Sequence, residues 1–152
     1  MAQVLQGPLA VLGRLLLCTI FFMAAVANKI PHFNDVARIM ESAGVPAPQL
    51  LLVGAIGFLL VGSVSVIVGY KARLGAALLF TFLLLASYYF HAFWKLEGQA
   101  QQEQMIQFMK NLSMMGAMLF LMANGSGPMS LDSWLTKRSS ATAEEPALVQ
   151  AS

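Results

Sequence analysis

Four long apolar stretches, separated by short polar segments, dominate the pattern of this chain. Every Lys, Arg, Asp and Glu lies outside residues 15–28, 42–70, 74–94 and 111–131. A helix of about 20 residues rises about 30 Å, which matches the hydrocarbon thickness of a bilayer. Backbone groups in lipid must bond internally, and the stretches lack the alternation of a barrel strand. The pattern therefore predicts an all-α membrane protein, a bundle of four transmembrane helices over about residues 9–28, 49–69, 74–94 and 106–123.

The first loop carries a different pattern, in which apolar residues recur at helical spacing among polar ones. One face of a helix through this segment would hold Phe33, Val36, Ala37 and Met40. An apolar face beside a polar face predicts a short amphipathic helix at the membrane surface. The glycine and prolines of residues 44–48 then end this helix and turn the chain back.

Small residues recur along one side of the second predicted span. They are Gly54, Gly62, Ser65 and Gly69. Small side chains let two membrane helices approach closely, because the backbones can come into contact. We therefore expect this side of the span to pack against a neighbouring helix.

Composition agrees with a membrane protein and excludes several other classes. Hydrophobic residues make up 58% of the 152 residues and charged residues 11%, against about 45–50% and about 25% in average soluble domains. The net charge of +2 is too small and too dispersed to indicate a nucleic-acid partner. Cys18 is the single cysteine, so the chain cannot form an internal disulfide or a dithiol pair. The membrane domain is placed at residues 1–132, and the Ser-, Ala- and Glu-rich residues 133–152 are predicted to be a disordered tail.

The distribution of Lys and Arg predicts the orientation in the membrane. The side of the termini receives Arg14, Lys71, Arg73, Lys137 and Arg138, and the other side receives Lys29, Arg38, Lys95 and Lys110. The compact basic turn at residues 70–73 and the basic tail favour cytoplasmic termini. Residues 25–27 resemble a signal-peptide cleavage site. The first apolar stretch is nearly of full membrane length, so we interpret that stretch as a membrane span that is retained.

Polar residues gather where the spans end on the side away from the termini. Asn28 closes the first span, His91 and Trp94 close the third, and Lys110 and Asn111 open the fourth. Imidazole changes charge near neutral pH, which makes His91 a candidate for ligand binding or proton transfer. The alternative is that His91 is an interfacial residue within the aromatic belt that Trp94 belongs to.

Two cations lie close to the predicted membrane boundaries. Lys110 falls about one turn inside the fourth span, and charges within a membrane are candidates for function. If that span begins at Asn111, Lys110 instead extends its amine to the interface. Arg14 either extends to the interface in the same way or pairs with Asp132, and the first arrangement is favoured because it costs less. Cys18 is interpreted as a small packing residue.

The ordered set of short motifs resembles the DoxX family of small bacterial membrane proteins over residues 12–132. The motifs include Gly13-Arg14-Leu15-Leu16, Asn28-Lys29-Ile30, Tyr70-Lys71-Ala72-Arg73, Phe90-His91-Ala92-Phe93-Trp94 and Lys110-Asn111-Leu112. The resemblance implies a four-helix bundle in the bacterial inner membrane. The family name is shared with a subunit of a thiosulfate:quinone oxidoreductase, and some members are linked to membrane oxidoreductase complexes. Many relatives carry a Glu in the second span, whereas residues 58–63 are apolar here, which weakens a proton-relay or quinone-site role carried over from them.

Three functions remain as hypotheses, and no residue set resembles a catalytic triad, a metal site or a phosphate loop. The first is an accessory or anchoring subunit linked to membrane redox processes, whose partners are the bilayer and oxidoreductase subunits or further copies of the chain. The second is a component that binds a quinone or another small lipophile in a pocket edged by His91, Trp94, Lys110 and Asn28. The third is a small oligomeric transporter. A disulfide-forming oxidase is excluded because that chemistry needs paired cysteines.

Overall fold

The computed structural model describes residues 2–139, and the side chains of residues 5–139. Its helices follow one another with short connections. They are α1 (Ala2–Met23), which continues as a π-helix (Ala24–Lys29), α2 (Phe33–Ser42), α3 (Pro48–Val68), α4 (Ala72–Phe90), a 3-10 turn (Phe93–Lys95) and α5 (Gly98–Asn124). A last helix, α6, covers residues 131–139.

Four of the helical segments within residues 2–139 are long and apolar enough to cross a membrane. They are Leu5–Lys29, Pro48–Val68, Ala72–Lys95 and Gly98–Asn124. Helix α1 packs on α3, α3 on α4, and α4 on α5. The shared core holds Cys18 and Phe21 of α1, Leu59 and Val66 of α3, Leu79 and Leu83 of α4, and Met115 and Met118 of α5. The predicted four-helix membrane bundle is confirmed.

The bundle has two ends, which differ in what covers them. The terminal face is the end at which α1 begins, α3 ends, α4 begins and α5 ends, and residues 125–139 lie there. The loop face is the opposite end, and it carries α2. Ala37 and Met40 of α2 are buried with Leu52 of α3, while Phe33 and Val36 pack partly against the same cluster. The predicted amphipathic helix and its apolar face are therefore confirmed.

Helices α3 and α4 come into close contact at two facing glycines, Gly62 and Gly75. A Cβ atom built on Gly62 would lie 3.0 Å from the carbonyl oxygen of Gly75, and one built on Gly75 would lie 2.9 Å from that of Gly62. The expected packing of small residues on the second span is thus confirmed at Gly62. Gly54, which was expected on the same side, has nothing within 4 Å of a built Cβ.

Two segments are helical where the prediction placed no helix. Helix α5 begins at Gly98, so the glutamine-rich segment before the fourth predicted span is helical. Glutamine, glutamate and alanine are good helix formers, and no proline interrupts the segment. The predicted disordered tail also begins too early, because residues 131–139 are helical. Ser130 caps that helix: its hydroxyl accepts the N–H of Ser133 at 3.2 Å, and the Ser133 hydroxyl accepts the N–H of Ser130 at 3.2 Å. The prediction for residues 140–152 falls outside the described residues.

Candidate functional site

The seam between α4 and α5 at the loop face joins polar side chains in pairs. The amide of Asn111 donates to the hydroxyl of Ser87 at 3.1 Å, and Ser87 is buried. One turn further out, Nδ1–H of His91 donates to Oε1 of Gln104 at 2.7 Å. Hydrogen bonds between membrane helices contribute roughly 0.6–2 kcal/mol each. Both pairs hold the end of α4 against α5.

An aromatic cluster closes the same seam. Trp94 packs edge-on against Phe93, with ring centroids 5.3 Å apart, and against Phe108 of α5, with centroids 6.0 Å apart. Trp94 remains half exposed. Amphipathic aromatic rings favour the boundary between headgroups and hydrocarbon. The cluster therefore marks the level of the membrane surface at the loop face.

The side chain of Lys29 extends into the bundle, whereas that of the neighbouring Asn28 does not. The π-helix is closed by the N–H of Ile30, which donates to the carbonyl of Ala25 at 3.0 Å. Asn28 is exposed on it, whereas Lys29 is half buried, with its ammonium 5.3 Å from the centroid of the Phe82 ring. Phe82 lies eight residues before the end of α4, or about 12 Å along the helix axis. The ammonium group is therefore carried into the apolar layer, and π-helical turns are frequent at functional sites.

Lys110 is exposed and points away from the other helices. It lines a shallow groove whose other lining residues all belong to α5: Met105, Ile106, Met109 and Ser113. The residue lies 14 positions before the end of α5, or about 21 Å along a layer of about 30 Å. Of the five residues predicted to form one site, the structure brings His91, Trp94 and Asn111 together along the α4–α5 seam. It places Asn28 and Lys110 elsewhere.

The inward position of Lys29 could have been predicted from the spacing of the apolar residues that α1 buries. Cys18, Phe21 and Ala25 are buried, and a stripe with a helical period continues from Ala25 to position 29. The prediction named the neighbouring Asn28 as a ligand-binding candidate and did not name Lys29. Phase along the helix, rather than residue type, would have selected Lys29.

The terminal face is held together by Arg14 and Asp132, and they do not pair with each other. Arg14 is 4% exposed. Its Nη2 donates to the carbonyl of Met129 at 2.8 Å, and its Nε donates to that of Ala10 at 3.2 Å. The favoured interpretation, in which Arg14 extends to the interface, is therefore wrong, because the segment after α5 covers the guanidinium. The alternative ion pair is not formed either.

Asp132 instead caps α4. One carboxylate oxygen accepts the N–H of Lys71 at 2.9 Å and the other accepts that of Ala72 at 3.4 Å. The N–H of Asp132 donates to the carbonyl of Gly69 at 2.9 Å. A carboxylate at a helix N-terminus satisfies backbone donors and opposes the positive end of the helix dipole. This residue therefore fixes the segment after α5 to the turn between α3 and α4.

The fold and its polar pairs define a multi-pass membrane protein, and its relatives place it in the inner membrane. The chain belongs to the DoxX family, whose model matches residues 9–92. It is 32% identical to the inner membrane protein YphA of Escherichia coli (strain K12) over 104 residues, covering 68% of this chain and 74% of YphA. It is also 32% identical to the inner membrane protein YqjF of the same organism over 123 residues, covering 81% of this chain and 89% of YqjF. No solved structure matches the chain.

Proposed function

We propose that this protein is an accessory subunit that docks on a larger membrane complex through the outward face of α5. Lys110 is the observation that carries the proposal. It is exposed on a face made of α5 residues alone, two residues after Phe108 and so about 3 Å inside the level of the aromatic cluster. A lysine facing lipid costs roughly 2.5–3.5 kcal/mol at the centre of a membrane helix by insertion scales, and less towards the interface, where Lys110 lies. A partner helix that offers a carboxylate or carbonyl groups would remove much of that cost.

The partner is a different protein rather than a second copy of this chain that packs its own α5 against this α5. In a two-fold contact between parallel membrane helices, equivalent residues lie at the same depth, so a residue in the middle of the contact faces its own copy. Such a contact would bring the two Lys110 ammonium groups together in a medium of low polarity, where like charges repel strongly. The charge on this face therefore favours a heterologous partner of opposite polarity.

The polar residues at the loop face support an accessory rather than a catalytic role. The side chains of Asn111 and His91 donate to Ser87 and Gln104, so these hydrogen bonds join helices instead of facing a substrate. The redox character of the complex rests on the resemblance to family members linked to membrane oxidoreductase complexes.

Replacing Lys110 by Gln is expected to reduce the recovered partner about tenfold in affinity purification from mild detergent, because a charge paired across the interface is lost. Lys110→Arg should retain most of the partner. Lys95→Gln is the matched control, since it removes another exposed cation at the loop face. The melting temperature of the purified chain should not change in any variant. Equal recovery with Lys110→Gln, or a wild-type protein that purifies alone, would contradict docking through α5.

A component that binds a quinone or another small lipophile is the second candidate, and Lys29 is the observation that favours it. The ammonium group lies against the Phe82 ring inside the apolar layer. No carboxylate lies within 4.0 Å of it among residues 5–139. An ammonium group in this position can donate a hydrogen bond to a quinone carbonyl, while the surrounding apolar side chains contact the ring.

Lys29→Met keeps the aliphatic stem of the side chain and removes the donor. If Lys29 holds a quinone, the variant should bind a short-chain ubiquinone analogue about tenfold more weakly in nanodiscs, because a hydrogen bond from a charged donor is lost. Lys110→Gln, which changes a cation outside the bundle, should bind as the wild type does. Unchanged affinity in Lys29→Met would remove the quinone candidate and leave the accessory role intact.

Both termini are proposed to lie in the cytoplasm. Support comes from the terminal face, where Lys71 and Arg73 flank the short turn between α3 and α4. Reporter fusions at each end should give cytoplasmic signals, and an exported C-terminus would reverse the orientation.

A further inference from the structure

A polar groove at the terminal face is not used by the proposed docking of α5. We call it the terminal groove. It has a volume of about 630 Å³ and lies between the start of α4, the loop after α5 and the start of α6. Lys71, which precedes α4, and Arg73 of its first turn line the groove on one side, and Ser126 and Gly127 line it from the loop. Two cations beside hydroxyl and amide groups form a set of donors suited to an anion.

The donors of the groove are only partly used within the chain. Among the described residues, Arg73 gives one hydrogen bond, from Nη2 to the carbonyl of Ala123 at 3.4 Å, and its other N–H groups donate to none of them. Lys71 lies 5.7 Å from the Tyr70 ring. The backbone N–H groups of Ser126 and Gly127 donate to no backbone carbonyl among the described residues.

The charges around the terminal face are unbalanced. Among its lining residues the groove has two cations, Lys71 and Arg73, and one carboxylate, that of Asp132. Both oxygens of that carboxylate already accept backbone N–H groups of α4. Behind the groove, Nη1 of Arg14 is buried without a hydrogen-bond partner, close to Ser130, which lines the groove. The face therefore presents a positive field to an anion.

The position of the groove indicates a lipid rather than a free anion. Leu74 lines it and is 64% exposed. Phe120 lies one turn before Asn124, which also lines the groove, and is 69% exposed. The groove thus opens at the terminal face, where α4 begins and α5 ends. Apolar side chains lie on the side of the groove that faces the membrane. A ligand with a phosphate and acyl chains matches both the cationic groove and the apolar side chains beside it.

We propose that the terminal groove binds the phosphate of an anionic phospholipid, with the acyl chains lying along Leu74 and Phe120. Lys71 and Arg73 contribute the charge, and the loop after α5 contributes backbone and hydroxyl donors. The proposal is independent of the docking face, which lies on another part of α5 and near the other end of the bundle.

Native mass spectrometry of the full chain, released from detergent after incubation with equal amounts of phosphatidylglycerol and phosphatidylcholine, tests this proposal. The wild type should retain one phosphatidylglycerol in clear preference to phosphatidylcholine. Lys71→Gln with Arg73→Gln should weaken retention by roughly fivefold for each removed charge. Lys71→Arg with Arg73→Lys keeps the charges and should retain the lipid, and Lys110→Gln is the control for a cation elsewhere.

Two further arms identify the source of the phosphate. Inorganic phosphate and glycerol 3-phosphate at millimolar concentration should not displace phosphatidylglycerol, because neither contacts the apolar side of the groove. Displacement by either would overturn the assignment to a lipid. Equal retention of the two lipids by the wild type, or unchanged retention when both charges are removed, would overturn the proposal altogether.

Discussion

Replacing Gly75 by Val is expected to lower the free energy of unfolding by about 3 kcal/mol, the upper part of the range for an overpacked core. A Cβ at this position would lie 2.6 Å from the hydroxyl oxygen of Ser65 and 2.9 Å from the carbonyl oxygen of Gly62. The Gly62 oxygen belongs to the backbone of α3 and cannot rotate away, so α3 and α4 must separate. Thermal unfolding of the purified protein in detergent measures the effect.

Gly54→Val is the matched control for that variant. Gly54 lies on the same helix as Gly62, and a built Cβ meets nothing within 4 Å. The change should stay within about 0.5 kcal/mol, as for most surface substitutions. If both variants lost the same stability, the loss at Gly75 would reflect the removal of glycine and not the contact between α3 and α4.

Asp132→Ala is expected to cost about 2 kcal/mol, at the upper end for the loss of a helix cap. The variant removes both acceptors of the Lys71 and Ala72 N–H groups, and Ala72 is fully buried. Without the carboxylate, the segment that covers Arg14 also loses one of its attachments to the turn between α3 and α4. Hydrogen exchange of residues 125–139 should accelerate together with the fall in melting temperature.

Asp35→Ala provides the comparison for the loss of a carboxylate alone. Asp35 pairs with Arg38 at 2.6 Å on the surface of α2, and both side chains are mostly exposed. Exposed pairs contribute between about 0 and 1 kcal/mol, so the melting temperature should hardly move. A loss in Asp35→Ala equal to that in Asp132→Ala would show that capping of α4 is not what makes Asp132 important.

The sequence predicted the parts of the fold that depend on contrast between polar and apolar residues. The four spans can be recognised because charged residues are nearly absent from them. The apolar face of α2 can be recognised because polar residues flank it. The start of α5 lacks this contrast, since its first turns are polar and extend beyond the membrane. A glutamine-rich helix in water and a glutamine-rich loop have the same hydropathy.

The candidate site was harder to predict because lipid and protein interior are both apolar. The apolar surface of α5 is nearly continuous, so hydropathy did not show that Lys110 faces away from the bundle. The burial of Arg14 depends on the loop carrying Met129, which is 115 residues away in sequence and has no regular period. Lys29 differs from these cases, because the phase of the buried stripe on α1 points to it directly.

Site-specific photo-crosslinking tests docking through α5 most directly. A benzoylphenylalanine at Met109, which is 53% exposed beside Lys110, would be compared in intact cells with one at Leu16, which is 68% exposed on α1. The account predicts that Met109 gives a cross-link to one membrane protein other than this chain, that Lys110→Gln abolishes it, and that Leu16 gives none. Adducts with lipid or with copies of this chain alone, at both positions, would contradict it.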